Sequence, residues 1–127
     1  MNAPQAIRPR DSGYPGLRVQ HEATLLAQAV YAATAAFPET ERTSLGDQMR
    51  RAGVSVPANI AEGSGRATRA DRARFYTIAW ASLRELEAHT RLAHAIDLLD
   101  AATLARLAQH FRRTGRLLHA LRHSPNI

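Results

Sequence analysis

Cysteine and lysine are both missing from this chain. Without cysteine no disulfide framework and no thiolate metal site can form, so stability must come from a buried core. Without lysine every permanent cation is an arginine, planar and able to grip a phosphate or carboxylate with two parallel hydrogen bonds. Aromatics are scarce, at 6% of residues, and there is one tryptophan. No long apolar run occurs: the longest uncharged stretch, residues 23–38, is too short to span a bilayer and is interrupted by Gln28 and threonines. No basic segment followed by an apolar one opens the chain, so the expected location is the cytoplasm. At 127 residues the chain suits one domain.

What is present is helical periodicity. Residues 1–16 hold Pro4, Pro9, Pro15, Gly13 and Gly16 with almost no apolar pattern, which predicts a flexible arm carrying Arg8 and Arg10. A first helix is predicted over about 18–36, with Val19, Ala23, Leu26, Val30, Ala33 and Phe37 on one stripe. Phe37-Pro38 ends it, because proline pushes the preceding residue out of helical geometry. Ser44 is the expected N-cap of a second helix that runs to about Glu62 through Leu45, Met49, Ala52, Val56 and Ile60. Pro57 falls inside that pattern and lacks the N–H that would reach the Gly53 carbonyl, so a kink is expected there. Gly63 is expected to end the helix in left-handed geometry.

The loop 63–67 is glycine-rich but lacks the Lys-Ser/Thr of a phosphate-binding loop, and no strand precedes it. Thr68 with Asp71 resembles a capping box for a third helix over about 69–97. Phe75, Ile78, Ala79, Leu86 and Ala93 form one stripe of it, and Tyr76, Trp80 and Leu83 form a second beside it. Two adjacent stripes suggest one buried in the protomer and one against a neighbour, so Tyr76, Trp80 and Leu83 are the expected oligomer interface. The alternative is one wide core stripe. After a tight turn at 97–100, Asp100 caps a fourth helix with Leu104, Leu107, Phe111, Leu118 and Leu121 inward and Arg106, Gln109, Arg113 and Arg116 outward. Residues 17–122 thus form an all-α, antiparallel up-down four-helix bundle in expectation, with a fraying tail at 123–127.

Three groups of residues carry a resemblance. The string Asp47-Gln48-Met49-Arg50-Arg51-Ala52-Gly53-Val54-Ser55-Val56-Pro57-Ala58-Asn59-Ile60-Ala61-Glu62-Gly63 is the first. Phe75, Ile78-Ala79, Ser82-Leu83 and Glu85-Leu86-Glu87 follow it, and Val30-Tyr31, Thr34 and Phe37-Pro38 precede it. Together they resemble the four-helix-bundle family of proteins encoded by intervening sequences in bacterial large-subunit rRNA genes, which includes the Avd accessory proteins of diversity-generating retroelements. The resemblance covers roughly residues 17–100. Gln20 stands where the family often has Trp, and Arg72 where it usually has an aromatic. The resemblance implies a homopentameric ring, no catalysis, and a basic surface used on nucleic acid, with a reverse transcriptase as partner in the Avd-type case.

The chemistry-bearing residues fit no enzyme class. His119 and His123 have a helical spacing that can hold a metal, yet no carboxylate or cysteine nearby in sequence completes a shell. Glu85 with His89, and Glu87 with Arg91, read as helix-surface pairs. Ser55 is expected to bond near the Pro57 kink. No nucleophile, base and orienting group come together, and no cofactor is expected. Charge is the remaining signal. Residues 1–63 hold six arginines against six acids, whereas 64–127 hold eleven against five and supply the whole +6.

In an up-down bundle the start of the third helix and the end of the fourth share one end. Arg66, Arg69, Arg72 and Arg74 are therefore expected beside Arg112, Arg113, Arg116 and Arg122, forming a basic end for RNA or DNA backbone. Arg84 and Arg91 lie outside that set. The second reading is an assembly module whose basic end docks an acidic protein surface.

Overall fold

The computed structural model describes residues 16–125. The expectations for the arm and the last tail residues fall outside that range. Among the described residues there are helices and no strands: α1 (Leu17–Ala35), α2 (Glu39–Arg42), α3 (Leu45–Ser64), α4 (Arg69–Ala95) and α5 (Ala101–Arg122). The four long ones pack in the cyclic order α1, α3, α4, α5 and back to α1, and the single turn α2 rests on α3. Each long helix therefore buries a face shared between two neighbours.

α1 buries Val19, Ala23, Leu26 and Val30 as the periodicity predicts, with Phe37 beyond its end. Thr34 lies fully buried in that stripe and satisfies its hydroxyl by donating to the Val30 carbonyl at 2.9 Å. Ala33 is only half-buried. The acidic connection after Pro38 forms the helical turn α2. Ser44 occupies the N-cap position of α3 but makes no side-chain capping bond.

α3 is bent and runs unbroken through Pro57. Leu45, Met49, Ala52, Val56 and Ile60 are all buried along it. Ser55 does not serve a freed carbonyl at the bend. Its hydroxyl pairs with that of Ser82 on α4 at 2.7 Å, and Asn59 Nδ2 donates to the Ser55 carbonyl at 2.8 Å.

Gly63 also departs from expectation. The helix continues past it to Ser64 and is closed by Gly65 in right-handed geometry, so Gly63 is not a left-handed cap. It is buried where α3 crosses α4, and a Cβ there would sit 2.9 Å from Phe75 Cβ and 2.9 Å from Tyr76 Cε1. Glycine is needed for close approach. Beside it, Tyr76 is fully buried, with its hydroxyl 2.7 Å from Ser64 Oγ.

Thr68 and Asp100 cap as expected. Thr68 Oγ1 accepts from the Asp71 N–H at 3.2 Å, and Asp100 Oδ1 from the Thr103 N–H at 2.7 Å. α4 ends in a Schellman pattern: Leu98 N–H donates to the Ala93 carbonyl at 2.8 Å and Asp97 N–H to that of His94 at 3.1 Å. Asp97 takes the left-handed position there, at φ 65°, a geometry that Asp tolerates better than most residues. On α5, Leu107, Phe111, Leu118 and Leu121 are buried and Leu104 is half-buried.

Candidate nucleic-acid interface

The third helix carries one wide core stripe. Tyr76 is 0% exposed and Leu83 1%, so both belong to the protomer's own core and cannot face a neighbour. Of the three expected interface residues only Trp80 is half-buried. The reason is geometric: α4 packs on both α3 and α5, and two partners require two adjacent stripes. The large apolar residues exposed on α4 are Ile78, from the stripe expected in the core, and Leu92, with Ile96 following at the C-cap. Their spacings of fourteen and four place them on one side of the helix.

Seven of the eight arginines expected to gather at one end fall into two groups, and Arg113 is exposed on α5 outside both. At the junction of α3 and α4, Arg66 pairs with Glu62 at 2.5 Å and its guanidinium lies 4.7 Å from the Phe75 ring centre. Arg74 covers the same ring at 4.4 Å and reaches Asp71 at 4.0 Å. Arg72 donates to the Arg66 and Ala67 carbonyls at 3.0 and 3.1 Å. Arg69 donates to the Pro125 carbonyl at 3.3 Å, which ties the start of α4 to the chain just beyond α5. Arg122 lies 5.1 Å over the Trp80 ring, and His119 stands 6.1 Å from that ring. These five cations are at one end, and each is already engaged by a carboxylate, a carbonyl or an aromatic face.

Arg112 and Arg116 lie elsewhere. They border a groove of about 640 Å³ between α4 and α5, together with Arg84 and Arg91 of α4. Arg112 is ten residues before Arg122, which along a helix is about 15 Å. The single basic end is therefore corrected to a basic end plus a basic groove, and Arg84 and Arg91 join the second. The cause is the length of α5: Arg112 and Arg116 stand in mid-helix, opposite the middle of α4 rather than its start. Glu87 sits between Arg84 and Arg91, at 3.3 and 3.8 Å, and is the one carboxylate of the groove. Among the described residues, Arg112, Arg113 and Arg116 have no carboxylate or carbonyl partner. Arg18 and Arg42, on other helices, share that state, but these three cluster on one helix.

The histidines do not gather a metal shell. The His119 and His123 ring centres lie 4.3 Å apart with the rings tilted at 53°, and among the described residues no group of three His, Cys, Asp or Glu side chains could hold an ion. His89 faces Glu85 at 3.3 Å as the spacing predicts. No described helix is long and apolar enough to cross a membrane.

Comparison with solved structures gives the same fold in a protein from Bacteroides thetaiotaomicron, described as of unknown function and from the S23 ribosomal protein family. The two are 20% identical, with a TM-score of 0.76 over 84% of this chain and 99% of that one. Comparison with curated proteins gives no match. The model of the family described as 23S rRNA-intervening sequence protein matches residues 16–120. Extending over all four long helices, both bordering stretches of the groove and the capped turns between them, that match shows that the chain belongs to the 23S rRNA-intervening sequence protein family.

Proposed function

We propose that this chain is a non-enzymatic accessory protein that holds the phosphate backbone of nucleic acid, RNA foremost, through the arginines of α5 and the basic end beside them. The observation that carries this reading is α5 itself. It has five arginines and no acidic residue, and Arg112, Arg113 and Arg116 are not neutralised within the protomer. Contacts of this kind set affinity and carry no sequence information, so specificity would come from RNA shape or from a protein partner. The family's description names 23S rRNA, which makes a large-subunit rRNA fragment the first ligand to test. In the Avd-type setting the partner would be a reverse transcriptase, a point that the neighbouring genes decide.

The reading includes an antiparallel up-down bundle, supported by Arg69 beside Pro125 and by Leu83 lying 3.8 Å from the Cβ position of Gly115. It also includes a cytoplasmic homo-oligomer, a pentameric ring by family resemblance, for which Ile78, Leu92 and Ile96 are the surface in place of Tyr76 and Leu83. Sedimentation of the purified protein tests the assembly, and a monomer at micromolar concentration would refute it.

The binding test is a salt titration against single-stranded RNA with heparin as competitor. Removing one arginine–phosphate interaction should lower the slope of log K against log salt by about 0.7. Replacing Arg112, Arg113 and Arg116 with Gln should lower the slope by about 2, whereas Arg66, Arg69, Arg72 and Arg74, already engaged, should each count for less. An unchanged slope in the triple variant would overturn the proposal.

A further inference from the structure

The α4–α5 groove has a chemistry that phosphate binding alone does not use. Its two rims are basic on opposite sides: Arg84 and Arg91 on α4, Arg112 and Arg116 on α5. Between them the lining is apolar. Leu83 and Phe111 lie beneath, Leu104 is half-buried, and Ala108 and Gly115 leave room for a backbone to approach. From Trp80 to Arg91 the groove extends eleven residues along α4, or about 16 Å, the length of three helical turns.

We infer that this groove is a docking site for an amphipathic helix of a partner protein, apolar on the face it buries and acidic on both flanks. Charge complementarity selects the occupant. Four guanidiniums face a single carboxylate, Glu87, and they stand on both sides of an apolar floor, which is the complement of an apolar stripe bordered by Asp or Glu. Such anchors recur at three- and four-residue spacings along a helix.

A second copy of this chain lacks that complement. α1 holds one arginine and one acid, and α3 two of each; α4 holds five arginines against three acids, and α5 five against none. No long helix carries a negative excess. Residues 1–15 hold two arginines and one aspartate, so they are not the occupant either. Single-stranded RNA fits the rims but not the floor. Base stacking needs an open aromatic face; Phe111 is 9% exposed, and the Trp80 ring lies under Arg122.

The probe is a fluorescein-labelled, stapled helical peptide of about 15 residues, with leucines on one face and glutamates on both flanks. The control is a peptide of the same composition with the leucines spread around the helix. Fluorescence anisotropy against the full chain should show the patterned peptide binding at least about tenfold more tightly than the control. Ala108→Trp fills the groove while leaving all four arginines, and Ala108→Glu places a carboxylate in it. Circular dichroism reports whether each variant keeps its helical content. Either folded variant should weaken the patterned peptide by about tenfold, and Ala108→Trp, which keeps the charge, should leave oligo-uridine RNA binding unchanged.

Equal binding of the two peptides would overturn the inference by showing diffuse attraction. So would a folded Ala108→Glu that binds the patterned peptide as the parent does. Equal loss of peptide and RNA in Ala108→Trp would make the groove the nucleic-acid site and overturn it too. A self-association that Ala108→Trp abolishes and the peptide cannot displace would assign the groove to a second copy, with the same consequence. Because the plug keeps the charge, failure here leaves the salt titration of the α5 arginines standing, and the reverse holds.

Discussion

Replacing Gly63 with alanine tests how α3 and α4 are held together. On helix propensity alone, Gly→Ala in a helix interior should stabilise by about 1 kcal/mol. At Gly63 the new methyl would meet Phe75 Cβ at 2.9 Å and Tyr76 Cε1 and Cδ1 at 2.9 and 3.0 Å. The Phe75 Cβ is fixed to the backbone of α4, and Tyr76 is fully buried with its hydroxyl on Ser64, so neither contact relaxes by a side-chain swing. Overpacking of this kind costs about 1–3 kcal/mol. Set against the propensity gain, a net loss of about 1 kcal/mol follows, a fall in Tm of about 4 °C for a domain of this size.

Gly53 is the matched control. It lies in the same helix, and a Cβ there would find Val30 and Leu86 at 3.8 Å, ordinary contact. Gly53→Ala should therefore raise Tm by about 4 °C, so the two variants should differ by about 8 °C. Thermal unfolding followed by circular dichroism, at one fixed protein concentration because any self-association would shift Tm, measures this. A Gly63→Ala protein as stable as Gly53→Ala would refute the close crossing at Gly63.

Three further outcomes are expected. Thr114 is fully buried with no partner for its hydroxyl, so Thr114→Val should raise stability by about 1 kcal/mol in urea unfolding, whereas Thr90→Val, which removes a bond to the Leu86 carbonyl at 2.8 Å, should not. Asp100 has its carboxyl held below the usual range, first by the Thr103 backbone N–H, then by the Thr103 side chain, with Arg106 adding to it. A lowered folded value means the cap contributes fully above the unfolded carboxylate range and is lost as pH falls through the folded value; Asp100→Asn should flatten that acid limb, and an unchanged limb would refute it. Pro57→Ala should gain less than the proline penalty of about 3 kcal/mol suggests, since α3 is packed on α1 and α4 in its bent form, and a full gain would show that the bend carries no packing.

Local physics made most of the fold legible in the sequence. Periodicity located α1, α3, α4 and α5 to within a residue or two, because each has a stripe of apolar residues that water alone would drive inward. Thr68 and Asp100 were readable as caps because the capping bond spans only three residues. The residues of the family signature were readable for the same reason. Wherever a residue's role depends on what lies across a helix interface, the sequence was silent or misleading. Gly63 has the composition of a cap and is a crossing point, since only the approach of Phe75 and Tyr76 tells the two apart. Tyr76 and Leu83 look like a spare stripe until α5 is placed beside α3 on α4. The arginine count was fixed by composition alone, but its division into an engaged end and an open groove was decided by the register of α5 on α4. That register is set by packing at Leu83, Gly115 and Trp80, contacts between residues more than thirty positions apart that no local pattern encodes.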